Sequence, residues 1–168
     1  MRPELDAAAR SCQGEGVLQR SAGVLLYRFR ENDLEVFLIY PGGPFFARKD
    51  LGSWSIPKGE QGPGEDPLDA ARRELEEDRA APGWNVSAAR ARAPARIVQA
   101  FFLEGDCDAD AIRSNTFSLG WSGHPAGVKR EFPEVDRAAW FAIDDARRRI
   151  SAGQLPLLDE LARLVRGA

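Results

Sequence analysis

Residues 59–81 read GEQGPGEDPLDAARRELEEDRAA, and the order in which glycine, acid and base recur there decides how the chain is read. Asp66 stands where a helix N-cap belongs and Pro67 at the first helical position, the arrangement that helix starts favour. From there Leu68, Ala71 and Leu75 form an apolar stripe able to face a sheet. Glu74, Glu77 and Asp78 recur at i, i+3 and i+4, so their carboxylates share an arc of about 100°. Like charges that close repel one another, and burial in a cleft would raise the cost. Arginines or a divalent cation would offset it, and carboxylates with waters and phosphate oxygens are what Mg2+ prefers. Taken alone, such a helix proves little, because glutamates are common on surfaces.

The segment in front of the helix changes the reading. Pro57-Lys58-Gly59 is expected to turn the chain, with Gly59 allowing the backbone to approach a ligand closely. Glu65 before the helix and Arg73 within it are opposite charges able to tie the loop down. Gly59, five residues, Glu65, seven residues, then Arg73-Glu74-Leu75-Glu76-Glu77-Asp78 resembles the Nudix box, Gly-x5-Glu-x7-Arg-Glu-U-x-Glu-Glu-x-Gly-U with U aliphatic. Three positions depart from it: Asp78 replaces a glutamate, Ala80 the glycine and Ala81 the final aliphatic residue. Asp78 still suits Mg2+, but its shorter reach would move the ion or admit a bridging water. Ala80 lacks glycine's aptitude for a left-handed helix cap. The likeness extends to the approach Trp54-Ser55-Ile56-Pro57-Lys58-Gly59-Glu60 and to Pro133-Glu134-Val135 through Trp140-Phe141, covering about residues 21–165.

The resemblance implies an α/β/α sandwich and a divalent-metal-dependent hydrolase of nucleoside diphosphates linked to another moiety. It implies Glu74, Glu77, Asp78 and the Gly59 carbonyl as metal ligands, with Mg2+ the expected ion and Mn2+ an alternative. Glu74 or Glu77 would also orient or deprotonate the attacking water, and Arg73 with Glu65 would be structural support. A further base outside the box is common in the family; Glu134 is the candidate, with Glu131 beside it. Lys58, Arg48 and Lys49 could hold outer phosphates as charge-assisted donors, although loop charges are as often merely solvated. That basic cluster favours dinucleoside polyphosphates or nucleoside triphosphates over nucleotide sugars or inositol pyrophosphates. Phe46, Trp54, Phe117 and Trp121 could stack on a base, yet aromatic residues beside strands are more often core. Because of Asp78 and Ala80, a second reading stays open: a degenerate domain that binds a nucleotide without turnover.

The rest of the chain sets the frame. At 168 residues, 43% hydrophobic and 29% charged, one globular domain over residues 21–168 is expected behind a polar leader at 1–20. A hairpin is expected from 22–29 and 34–40 about the turn Glu31-Asn32-Asp33, with further strands at 54–56, 95–104, 117–121 and 136–142. Helices are expected from Pro67 to about Arg79, stopped near Pro82-Gly83, at 146–150, and at 155–165, where leucines recur at helical spacing. Strands outnumber helices without regular alternation, so the class is α+β, a mixed sheet flanked by helices. The net charge of −3 and the lack of a basic stripe speak against nucleic acid as partner. No apolar run approaches the ~20 residues of a membrane span, and the leader lacks a signal-peptide core. A cytoplasmic protein acting on a small nucleotide or polyphosphate is therefore expected, as monomer or homodimer. Cys12 and Cys107 are expected as free thiols, and His124 as a solvated loop residue.

Overall fold

The computed structural model describes residues 20–77, 91–93, 97–120 and 129–167. Its elements run β1 (Arg20–Arg30), β2 (Asp33–Pro41), β3 (Lys58–Glu60), α1 (Pro67–Glu77), β4 (Ala91–Ala93), β5 (Ile97–Glu104), β6 (Thr116–Gly120), β7 (Lys129–Pro133), β8 (Val135–Ala142), α2 (Ile143–Arg149) and α3 (Leu155–Arg166). Ala22, Val24, Leu25 and Leu26 of β1 are wholly buried. A strand apolar on both faces belongs between two covering layers, and β1 takes that place. It turns into β2 through Glu31 and Asn32, whose φ angles are 50° and 73°. Two successive left-handed residues make the tight turn whose twist suits a hairpin. Asp33 pairs with Arg30 and so belongs to β2, not to the turn.

The main sheet has the order β4-β5-β1-β2-β8. β5 runs parallel to β1, from Arg20 opposite Ile97 to Tyr27 opposite Glu104; the other pairings are antiparallel. Alternate residues point to opposite faces, which divides the core in two. On one face, Ala70, Ala71 and Leu75 of α1 cover Ala22, Val24, Leu26, Phe37 and Phe101. On the other, Ile143 and Ala146 of α2 and Leu157, Leu158 and Leu161 of α3 cover Leu25, Val36, Leu38 and Phe102. The fold is the expected α/β/α sandwich about a mixed sheet. Among the described residues no helix is long and apolar enough to cross a membrane.

Several expected boundaries shift. Residues 54–56 form no strand; Trp54 and Ser55 make single bridges to Ile150 and Ile39 on opposite sides. That segment is wedged between two layers, so successive residues bond to different neighbours. The residues expected as a turn instead enter β3, where Lys58, Gly59 and Glu60 pair with Gly23, Ala22 and Ser21. α2 starts at Ile143, earlier than expected, since Ile143 is buried and Asp144 and Asp145 suit a first helical turn. β8 gains Val135, and Arg20, placed in the leader, already belongs to β1. The expected end of the first helix at Arg79 and Pro82-Gly83, the leader at 1–19, Trp121 and His124 lie outside the described residues.

Candidate active site

The cleft exists because the sheet splits. Along one edge of β1, residues 21–23 pair with β3 while residues 27–30 pair with β2. In the gap the 54–57 segment bonds to both sides: Val24 N–H donates to the Pro57 carbonyl (3.0 Å), and Ser55 and Ile39 exchange backbone hydrogen bonds of 2.9 and 2.8 Å. A cleft of ≈ 350 Å³ opens there, lined among others by Phe46, Trp54, Lys58, Glu74, Glu134 and Gln154. Lys58, Glu74 and Glu134 come from a strand, a helix and an inter-strand bend far apart in sequence.

Gly59 shows how tightly α1 lies on this edge. A Cβ added at Gly59 would overlap the Glu74 carboxyl group, so the carboxylate rests against bare backbone. The helix reaches that position from a capped start. The Asp66 carboxylate accepts from Leu68 N–H at 2.8 Å, satisfying one of the orphan donors of the first turn. Arg73 then ties the preceding loop to the helix. Its Nε donates to Glu65 at 3.1 Å, and its Nη2 to Glu65 at 3.3 Å and to the Glu60 carbonyl at 3.1 Å. Its Nη1 donates to Glu74 at 2.7 Å. Glu65 also accepts from Gly62 N–H at 2.8 Å. The Arg73 guanidinium, and then the Gly62 amide, hold the Glu65 carboxyl below its ordinary pKa.

Glu134 is fixed through its backbone, its N–H donating to the Asn115 carbonyl (2.8 Å) and its own carbonyl accepting from Gly42 N–H (3.0 Å). Its side chain is exposed on the cleft. Glu131, the neighbouring candidate, lies on β7 opposite Ser118 of β6 and is not among the residues lining the cleft. Neither are Arg48 and Lys49; both are exposed on the 42–52 loop, with Lys49 Nζ 5.9 Å from the Phe46 ring centre. Glu77 closes α1, but its side chain and Asp78 lie outside the described residues. Among the described residues no three acidic, histidine or cysteine side chains converge on a metal position. What is described, a carboxylate laid against a glycine backbone, offers hard oxygen donors of the kind Mg2+ takes.

Of the aromatic candidates, Phe46 and Trp54 both line the cleft, and Trp54 is at the same time core. Trp54 is 3% exposed, lies edge-on to Tyr40 and Phe141 at 5.1 and 4.8 Å, and donates its indole N–H to Asp50 at 2.8 Å. Cys107 is a free thiol that burial pushes up to about 11, far from reactive thiolate behaviour. One residue went unnoticed in the sequence. Gln154 is buried, its Oε1 accepting from Ile56 N–H at 3.0 Å and its Nε2 donating to Ser55 Oγ at 2.9 Å. It clamps the segment that delivers Lys58 and Gly59. A glutamine 98 residues from its partner leaves no local pattern to find.

A mixed sheet splits beside a glutamate-bearing helix, and a lysine and a second glutamate line the same cleft. The NUDIX domain matches residues 17–161: the chain belongs to the Nudix family and is a Nudix-type pyrophosphohydrolase. Solved structures share the fold. The C. elegans Ap4A hydrolase binary complex aligns with a TM-score of 0.59 at 20% identity, covering 89% of this chain and 99% of that one. The NUDIX domain of Shewanella oneidensis NrtR complexed with ADP ribose aligns at 0.57 and 13%, covering 94% of each chain. RenU, a Nudix hydrolase from M. smegmatis, aligns at 0.52 and 16%, covering 89% of this chain and 88% of that one. At these identities the likeness is one of fold. No curated protein sequence gives a significant match.

Proposed function

We propose that the chain, as a single domain from residue 21, hydrolyses the phosphate anhydride of a nucleoside diphosphate linked to another moiety. Dinucleoside polyphosphates and nucleoside triphosphates are the favoured substrates, Mg2+ or Mn2+ the cofactor, and the cytoplasm the setting. The observation that supports this most is the Glu74 carboxylate laid against Gly59, in a cleft that also takes Lys58 and Glu134. The Ap4A hydrolase and the ADP ribose complex among the similar structures are in keeping with a nucleotide substrate.

The Gly59 carbonyl with Glu74, Glu77 and Asp78 would hold the cation, which lowers the pKa of a bound water and neutralises phosphate charge. Glu134, on the same cleft as Glu74, would serve as the base for the attacking water. Lys58 offers its ammonium to a phosphate oxygen beside the scissile bond. Arg48 and Lys49, outside the cleft lining, meet only outer phosphates of a longer chain. Arg73 and Glu65 touch no substrate; they keep Glu74 and the loop in register. Positioning and charge neutralisation are most of what phosphoryl transfer asks of a protein.

A panel of nucleotides assayed for phosphate release with Mg2+ tests the reading. At least one nucleoside polyphosphate should turn over, and Glu77→Gln should remove most of that turnover with the melting temperature unchanged. Near-wild-type turnover by Glu77→Gln sinks the mechanism. Nucleotide binding without any turnover would favour the degenerate domain to which Asp78 and Ala80 point.

A further inference from the structure

The 42–52 loop leaves the cleft lining at Pro41 and rejoins it at Gly52, with Phe46 dipping back into the cleft between them. At its start Gly42 N–H donates to the Glu134 carbonyl, and a Cβ at Gly42 would overlap the Pro133 carbonyl. Gly43, at φ 97°, lies against Phe117 of the separate β6–β7 pair. At its end Gly52 N–H donates to the Arg148 carbonyl at 3.2 Å. In between, Phe45 and Leu51 are 73% and 67% exposed. Apart from Phe46, the loop's large apolar side chains bury little surface, so its course depends on polar tethers.

Two side chains supply them. The buried Tyr40 offers its hydroxyl proton to the Phe46 and Lys49 carbonyls. Asp50 reaches further. Its Oδ1 accepts from the Trp54 indole N–H at 2.8 Å and its Oδ2 from Arg149 Nη1 at 2.5 Å. The indole N–H, and after it Arg149, hold the Asp50 carboxyl below its ordinary pKa. Arg149 ends α2 and is itself steadied by Asp145, 2.9 Å from its Nε, and by the Phe141 ring, 4.9 Å from its guanidinium. An exposed ion pair contributes little alone. This carboxylate also satisfies the N–H of a tryptophan that is core and cleft lining at once, and a buried donor stripped of its acceptor is costly.

We propose that Asp50 is a positioning residue for the hydrolysis, latching Trp54 and the Phe46 loop to the end of α2 so that the cleft keeps the shape that admits substrate. The proposal rests on reading the cleft as the anhydride site. Asp50 touches no substrate; it acts through the indole and the loop backbone. Glu134 keeps its second tether, to Asn115, and the Glu74 carboxylate keeps its contacts with Gly59 and Arg73. Loss of the latch therefore lowers the fraction of molecules ready to take substrate, which weakens apparent affinity in proportion, and leaves the bond-breaking step nearly as it was.

Steady-state hydrolysis of whichever nucleotide in the panel turns over, paired with limited tryptic cleavage, tests this on the full chain. Asp50→Ala and Arg149→Met should each raise KM by roughly 10-fold, with kcat within about twofold of wild type. Both should also speed cleavage after the exposed Arg48 and Lys49, followed by mass spectrometry. Arg149→Met leaves the loop sequence unchanged and keeps apolar cover on Phe141. Asp50→Asn retains an acceptor for the indole, so its KM should return most of the way to wild type. A lower melting temperature with KM unmoved, a loss confined to kcat, or cleavage no faster than in wild type overturns the latch. If the wild type turns over nothing in the panel, the role of Asp50 falls together with the reading of the cleft. If the wild type turns over and the variants keep its KM, the role of Asp50 falls alone.

Discussion

The two faces of the sheet are built on opposite principles. Under α2 and α3 the core is a matter of volume: Leu25, Leu38, Phe102, Leu157, Leu158 and Leu161 interlock with Tyr40 and Trp54. Under α1 the closest approaches depend on side chains that are small or missing. Ala22, Ala70 and Ala71 are wholly buried there, and Gly59 leaves the space that the Glu74 carboxyl fills. Around this face runs a polar brace, Arg73 with Glu65, Glu60 and Glu74. One face is shaped to hold the fold, the other to hold a carboxylate in place. Stability and activity should therefore fail separately.

Gly59→Ala is the strongest attempt to break that division. The added methyl must push Glu74 aside, and a displacement of about 1 Å at a reacting group can cost ~100-fold in rate. A kcat/KM lowered by that order is expected, with a stability loss of about 1–3 kcal/mol. Full activity in steady-state hydrolysis would show that the Glu74 contact is unrelated to the chemistry. Leu158→Ala is the mirror experiment. Leu158 is 0% exposed, so truncation should cost about 2–5 kcal/mol in denaturant unfolding. Activity per folded molecule should stay within about twofold of wild type, and a large drop would mean that the faces are not independent.

Gln154→Leu probes the seam between the faces. It strips Ile56 N–H of its acceptor inside the cleft wall, a loss of about 1–3 kcal/mol. Because the same segment delivers Lys58 and Gly59, a several-fold fall in kcat/KM should accompany it, with partial recovery in Gln154→Glu, which keeps the acceptor oxygen. A stability loss with unchanged kinetics would reduce Gln154 to a packing residue.

The same contrast explains what the sequence could reveal. The α2/α3 face was legible because its leucines recur at helical spacing and its strands are continuous apolar runs. The box on the α1 face was legible for another reason: a helix fixes the relative directions of Glu74, Glu77 and Asp78, so spacing alone implies a shared side. β3 was not legible. Lys58-Gly59-Glu60 has no strand character of its own, and its pairing with residues 21–23 is a tertiary decision. β7 (Lys129–Pro133) escaped notice likewise, because it is mostly exposed, charged and ends in proline. Glu134 could be nominated ahead of Glu131, but the sequence offers no physical reason for that order. What separates them is the bend between β7 and β8, which leaves Glu134 on the cleft and Glu131 on the hairpin arm.

The smallest expected effect concerns the brace, and its sign depends on pH. Arg73 and the Gly62 amide hold the Glu65 carboxyl below its ordinary value of 4.5. The folded state thus binds this proton less readily than the unfolded chain. What the charged pair adds to stability is complete above that ordinary value and is lost as pH falls through the lowered, folded-state value. Glu65→Gln should consequently be less stable than wild type at pH 7, and the gap should narrow as the pH drops below about 4.5. The pair is partly exposed, with Arg73 at 41% and Glu65 at 25%, so water screens it and the change in melting temperature should be slight. Activity at pH 7 should fall more visibly, by a few-fold, because Arg73 freed from Glu65 can shift the Glu74 carboxylate that it also contacts. Urea unfolding of both proteins at pH 7 and pH 3.5, with hydrolysis assayed at pH 7, separates the two consequences. A gap that widens on acidification would reverse the sign and remove Glu65 from the brace.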